Sequence, residues 1–272
     1  MKLIHNEMPV LGMGTFRLED DIAYNSVKMA LELGYRHIDT AQIYGNEAQV
    51  GQAIVDSQVE RHELFITTKV WNANLNTNSF IKSVCESLEK LKTDYVDLLL
   101  IHWPSPESNE PMKEYLEQLI EAKNQGLAKN IGVSNFTIDL LEEALKTIPA
   151  SELFTNQVEV HPYLTNEKLR AYCDSKNIHV TGYMPFAVGK VLSDEVIIEI
   201  AKSKGVTPAE IVIAWSLSLG LSTIPSSTKR SNLLSNLKGE NLQLSSEEIS
   251  KISNLNINDR QANPDFSPKW DI

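Results

Sequence analysis

Asp39, Tyr44, Lys69 and His102 are four side chains with complementary chemistry. A carboxylate, a phenol, an ammonium and an imidazole converging on one mouth describe a general acid for a carbonyl group. A free tyrosine, with a pKa of ~10, holds its proton tightly. An ammonium within ~4–6 Å stabilises the phenolate and lowers that value. Lys69 plays this part only while its charge is held in place, and Asp39 is the natural counter-ion. His102 then orients a carbonyl oxygen against the Tyr44 hydroxyl. No side chain donates hydride, so the set requires a nicotinamide cofactor. By type alone, Asp39 and Lys69 fit a structural ion pair equally well. Tyr44 and His102 turn the reading towards chemistry.

Such a set needs a scaffold that brings distant residues to one place. Short apolar, β-branched runs recur through the chain, with amphipathic segments between them. They predict strands over 11–15, 36–38, 64–70, 96–101, 130–133, 155–160, 179–183 and 222–224. Helical patterns cover 21–33, 78–91, 112–125, 138–146, 167–175 and 194–203, and Thr207-Pro208 opens another helix with a capping threonine and a proline at its first position. Eight strands alternating with helices predict an α/β fold, the closed parallel (β/α)8 TIM barrel, as a single domain over 1–272. Residues 1–10 read as an N-terminal hairpin turning at Asn6-Glu7, and 237–272 as a C-terminal segment near the pocket rim. The doubly wound dinucleotide fold fails, because Gly12-Met13-Gly14-Thr15-Phe16-Arg17 lacks the third glycine and no helix start follows.

Barrel chemistry sits at the C-terminal strand ends. There the chain carries Asp39 and Tyr44, Lys69 and Trp71, His102 and Trp103, Ser134 and Asn135, Gln157, and Tyr183. Trp71 and Trp103 read as walls of a substrate pocket, and Trp270 as a residue folded back over its rim. His5, His37, His62, His161 and His179 have no partner pattern and read as structural or surface residues.

Composition removes other classes. Lys and Arg number 25 against 36 Asp and Glu, a net charge of −11 that disfavours nucleic acid and anionic membranes. The richest apolar stretch, 211–221, is far short of the ~20 residues of a spanning helix. No signal-type apolar region opens the chain, so a cytoplasmic protein is expected. Cys85 and Cys173 have neither disulfide-framework nor metal spacing, so no metal site is expected.

Gly34-Tyr35-Arg36-His37-Ile38-Asp39-Thr40-Ala41, with Tyr44, Glu47 and Gly51 following, resembles the first signature of the aldo-keto reductase family. Lys129-Asn130-Ile131-Gly132-Val133-Ser134-Asn135-Phe136 resembles its second. Thr68-Lys69-Val70-Trp71, Leu100-Ile101-His102-Trp103-Pro104 and Asn156-Gln157-Val158-Glu159 are similar to its other strand ends. The resemblance implies Tyr44 as proton donor, Lys69 and Asp39 as its tuning pair, and His102 as orienter of the substrate carbonyl. It also implies Ser134, Asn135 and Gln157 on the nicotinamide amide, Tyr183 stacked on the ring, and Thr15 and Asp39 among the cofactor contacts.

One departure concerns the cofactor's 2′-phosphate. The family's usual lysine and arginine correspond to Ser226 and Asn232 here. Lys229 and Arg230 lie in the same turn, Ser227, Thr228 and Ser231 add hydroxyls beside Ser226, and the segment follows strand eight, where barrels bind phosphate. We therefore expect NADPH rather than NADH, with Asn236 on the adenine. The short loop 103–111 and the brief C-terminal segment imply small polar carbonyls such as methylglyoxal or keto-sugar acids. A monomer is expected. The alternative is a non-catalytic nucleotide-binding regulatory or structural subunit on the same fold.

Overall fold

The computed structural model describes residues 2–105 and 111–271. Loop 103–111 therefore falls partly outside the described residues. The chain opens with an antiparallel hairpin, β1 (Leu3–Ile4) and β2 (Met8–Pro9). Its turn centres on His5 and Asn6, both with positive φ, and the Glu7 amide donates back to the Ile4 carbonyl at 2.9 Å. The turn is thus displaced by one residue from the expected Asn6-Glu7.

The strands β3 (Met13–Gly14), β4 (His37–Asp39), β5 (Phe65–Val70), β6 (Val96–Ile101), β7 (Ala128–Ser134), β8 (Leu153–Glu159), β9 (His179–Tyr183) and β10 (Ser222–Thr223) pair in parallel in chain order. A bridge between Leu11 and Thr223 joins the last strand to the first, supported by Thr223 N to Val10 O at 2.8 Å. The fold is the (β/α)8 barrel that the strand–helix alternation predicts.

Continuous apolar runs make the central strands. Every residue of β5 and β6 is buried, as expected for strands covered on both faces. Outside them pack α1 (Asp20–Glu32), α2 (Glu47–Ser57), α3 (Phe80–Leu91), α4 (Met112–Asn124), α5 (Ile138–Ala144), α6 (Glu167–Ser175), α7 (Glu195–Lys204), α8 (Pro208–Ser218), α9 (Arg230–Gly239) and α10 (Ser246–Ser253). Thr207 caps α8 by accepting from the Glu210 amide. The sequence patterns omit α2 and α10. The latter is short and opened by a capping box of Ser245 and Glu248, a local signal that outweighs its sparse apolar content.

The barrel floor is sealed by Met8, which clusters with Phe65, Leu98 and Leu100 beneath Ile4 and Phe154. This plug leaves the opposite end open. The register places Gly14 beside Asp39, Lys69 beside Leu100 and Ser134 beside Gln157, so polar strand ends share one level.

Gly51 sets how closely α2 and α3 approach. A Cβ there would stand 2.3 Å from the Lys90 carbonyl oxygen and 2.7 Å from Leu91 backbone. Gly51→Ala should destabilise the protein by roughly 1–3 kcal/mol, the usual cost of overpacking, read as a lower urea midpoint at unchanged slope.

Candidate active site

A cavity of about 810 Å³ opens at the C-terminal strand ends. Asp39, Tyr44, Trp71, His102, Trp103, Ser134, Asn135, Gln157, Tyr183 and Ser226 to Lys229 line it. Lys69 lies directly beneath, bonded to the Asp39 carboxylate and donating to the Thr40 carbonyl at 2.9 Å. Thr15 is buried behind Asp39, its hydroxyl 3.1 Å from the Asp39 carbonyl. Tyr44 owes its position to the short helical turn Gln42–Tyr44, which ends at Gly45 in the left-handed region. Asn46 secures that turn, bonding Thr40 Oγ1 and the Thr15 and Leu18 carbonyls.

The catalytic-type side chains form one cluster. The Tyr44 and His102 rings meet edge-on at 5.5 Å, and Lys69 Nζ stands 5.2 Å from the Tyr44 ring centre. Gln157 Nε2 donates to Asp39 Oδ2 at 2.7 Å, so Asp39 is gripped from both sides. Asn135, in a left-handed conformation, donates to the His102 carbonyl at 2.9 Å and accepts from the Tyr183 hydroxyl at 2.7 Å. Ser134 Oγ donates to the Gln157 carbonyl at 2.7 Å.

Burial governs the protonation states. It pulls the His102 pKa well below the ordinary histidine value, and the Lys69 charge adds to this. His102 is therefore neutral, and since Nδ1 is buried without a partner, Nε2 is the nitrogen presented to the cavity. Burial also lowers the Lys69 pKa, which Asp39 partly restores. Tyr44 behaves differently from the sequence expectation. Burial and then the Asp39 carboxylate push its pKa well above 10. Tyr44 keeps its proton across the working pH range.

His37 and His179 are likewise depressed by burial, His179 to about 3. Each imidazole takes up a proton on unfolding once the pH falls below the unfolded value of ~6.5. Stability should therefore decline on acidification from neutrality, by up to ~1.4 kcal/mol per pH unit per imidazole. Glu47 and Asp271, their carboxyls raised by burial, act in the opposite sense, two groups against the three imidazoles of His37, His102 and His179. A urea midpoint unchanged or higher at about pH 5.5 than at about pH 7.5 would contradict this.

Several residues differ from their expected placement. Arg230 does not line the cavity; its guanidinium pairs with Glu32 at 3.4 Å on the surface. Asn236 is also outside the lining, its amide buried without a hydrogen bond while the nearby Tyr35 hydroxyl donates to Leu233. Asn232 does face the cavity. His161, read as structural or surface, is fully buried and bonded to Glu159 at 2.8 Å, a structural role. Phe16, Ile43, Met184 to Phe186, and Gln261 to Pro264 also line the cavity. Phe16 follows β3 and was open to the same strand-end rule. Phe266, packed edge-on against Trp71 and Trp103, carried no periodic signal in a polar, proline-containing tail. Trp270 packs on Trp103 at 6.0 Å and under Arg260, whose Cζ lies 3.6 Å from its ring centre.

The donor set suits a nicotinamide dinucleotide. Neutral amides and a tyrosine ring surround one end of the cavity. The other end holds three hydroxyl side chains, Lys229 and the start of α9, a helix end that carries no side-chain cap. No group of three or more His, Cys, Asp or Glu suited to a metal occurs among the described residues. Among them, no helix is long and apolar enough to cross a membrane.

A closed parallel barrel with titratable side chains gathered at its C-terminal strand ends defines a (β/α)8 enzyme architecture. Residues 10–257 match the aldo/keto reductase family, and the chain belongs to it. It is 54% identical over 265 residues to methylglyoxal reductase DkgB of Escherichia coli O157:H7, covering 97% of this chain and 99% of that one. It is 41% identical to glyoxal reductase of Bacillus subtilis strain 168, covering 96% and 95%. A solved structure assigned as 2,5-diketo-D-gluconic acid reductase B superposes with a TM-score of 0.94 at 40% identity, covering 97% and 94%. The chain is thus a member of an oxidoreductase family, with relatives named as methylglyoxal and glyoxal reductases.

Proposed function

We propose that this protein is a cytoplasmic, monomeric NADPH-dependent reductase of small aldehydes and ketones, including methylglyoxal and 2,5-diketo-D-gluconate-like keto sugars. One observation carries the reading: Tyr44, His102 and the Lys69–Asp39 pair meet at one end of a cavity whose other end is a hydroxyl-rich, lysine-bearing helix start. The names of the relatives support the substrate class.

When bound, reduced nicotinamide supplies hydride to the carbonyl carbon. Neutral His102 and the Tyr44 hydroxyl hold the substrate oxygen between them. As negative charge develops on that oxygen, Tyr44 gives up its proton. A raised phenol pKa is no obstacle, because an alkoxide is more basic than any phenolate. Lys69 then stabilises the phenolate left behind, and Asp39, fixed by Gln157, keeps the ammonium in place. Ser134, Asn135 and Gln157 would bind the carboxamide and Tyr183 the ring face. Thr15 supports Asp39 from behind.

For the 2′-phosphate, Lys229, Ser226, Ser227, Thr228 and the α9 start would replace the missing lysine and arginine. Arg230 remains available, since its exposed pair with Glu32 is worth at most ~1 kcal/mol. Asn236 would meet the adenine only after a local shift from its buried position.

Initial rates with methylglyoxal, NADPH and NADH side by side, test this. Turnover with a strong NADPH preference is expected. Equal use of NADH would refute the phosphate site. NADPH binding without turnover on any small carbonyl would transfer the assignment to a regulatory subunit. Lys229→Ala should raise the NADPH Michaelis constant roughly tenfold or more, the loss of one charge-assisted contact, while leaving that for NADH unchanged.

A further inference from the structure

We propose that Glu159 is a positioning residue that sets which carbonyl substrates fit, by anchoring the C-terminal strap that walls the pocket. This rests on the reductase reading above. After α10 the chain runs to residue 271 without a helix or strand. Such a segment has no ladder of its own, so its amides must find acceptors elsewhere. Two consecutive ones find the same carboxylate: Gln261 N donates to Glu159 Oε1 at 2.7 Å and Ala262 N to Oε2 at 2.8 Å. His161 Nε2, 2.8 Å from Oε1, completes the shell.

Glu159 is entirely buried, at 0% exposure, and lies on β8 two residues past Gln157, one pleat period from a cavity residue. A carboxylate gripping successive amides from inside a barrel is a rigid anchor. The strap's next residues, Asn263 and Pro264, line the cavity. Phe266 then rests on Trp71 at 5.7 Å and on Trp103 at 5.6 Å. The aromatic wall therefore takes its position from a carboxylate that does not itself line the cavity. Other ties hold the segment on either side of residues 261–264: Thr165 N donates to Asn256 Oδ1 at 3.2 Å, Arg260 Nη2 to Asn166 Oδ1 at 3.3 Å and Ile138 N to Asp271 Oδ2 at 3.0 Å, while the Lys190–Asp259 pair, with side chains 52% and 32% exposed, is largely solvated.

Glu159→Gln replaces one acceptor oxygen with an amide nitrogen that repels an incoming N–H. The expected result is a methylglyoxal KM raised ~10-fold with kcat within ~2-fold, because the strap supplies binding and not proton transfer. Relative kcat/KM for a bulky aromatic ketone should rise. Tryptophan emission should shift to the red as Trp270 leaves Arg260 and Trp103, with far-ultraviolet circular dichroism unchanged. If the variant does not fold, Ala262→Pro removes one donor from the strap side and is read by the same criteria.

Unchanged KM and selectivity would overturn the proposal, as would a fall in kcat at constant KM. An emission shift without altered selectivity would also overturn it. If the wild type failed to turn over any small carbonyl, the reductase reading would fall. The emission shift would then still report whether Glu159 holds the strap.

Discussion

Tyr44→Phe is expected to abolish carbonyl reduction while leaving NADPH affinity close to that of the wild type. The hydroxyl is the proton source in the proposed chemistry, and removing a positioned general acid costs about 10²–10⁴-fold in rate. The half-buried ring packs edge-on against His102, and phenylalanine fills the same space, so the fold should be unaffected. Single-turnover NADPH oxidation gives the rate, and quenching of protein fluorescence gives the affinity. Retention of most of the activity would show that another group, His102 first among them, supplies the proton. The burial that raises the Tyr44 pKa also predicts that no phenolate ionisation appears in the rate profile of the free enzyme below about pH 9.

Lys69→Met should damage both stability and catalysis. The Lys69 and Asp39 side chains are 1% and 2% exposed, so deleting the ammonium leaves a buried carboxylate with only Gln157 for company. Breaking a buried pair in this way typically costs 3–5 kcal/mol, about the margin of many folded domains. The Thr40 carbonyl would lose its donor as well. Asp39→Asn combined with Lys69→Met should recover much of the urea midpoint, because no uncompensated charge remains, yet it should not recover turnover. A double variant as unstable as Lys69→Met would mean that packing, and not charge, carries the cost. Restored turnover would remove the Lys69–Asp39 pair from the mechanism.

Much of this arrangement was open to reading in one dimension. Parallel strands buried on both faces must be apolar throughout, which made β5 and β6 legible. Once the alternation implied a barrel, the residue after each run became a site candidate. This rule led to Asp39, Lys69, His102, Asn135 and Gln157 without any knowledge of contacts. Helix α2 escaped although Val50, Ala53 and Ile54 stand at helical spacing, because it opens without a side-chain cap and so lacks a local start signal. The local cap at α8 was readable because its chemistry lies within four residues, whereas the equally local capping box of α10 was missed.

Other features depend on segments that meet only after folding. Arg230 turns to Glu32 across 198 residues of chain, and Glu159 receives amides 102 and 103 residues away. No pattern of spacing encodes such meetings. The Tyr44 pKa is a second case. Residue types supplied an ammonium to lower it, but burial and the Asp39 charge raise it, and burial is a property of the packed barrel. The order of amino acids therefore determined the strands, their order and the chemistry at their ends, because these follow from local periodicity. Packing alone settled the protonation states, the direction of each charged side chain and the wall of the pocket, because desolvation and long-range contacts exist only in three dimensions.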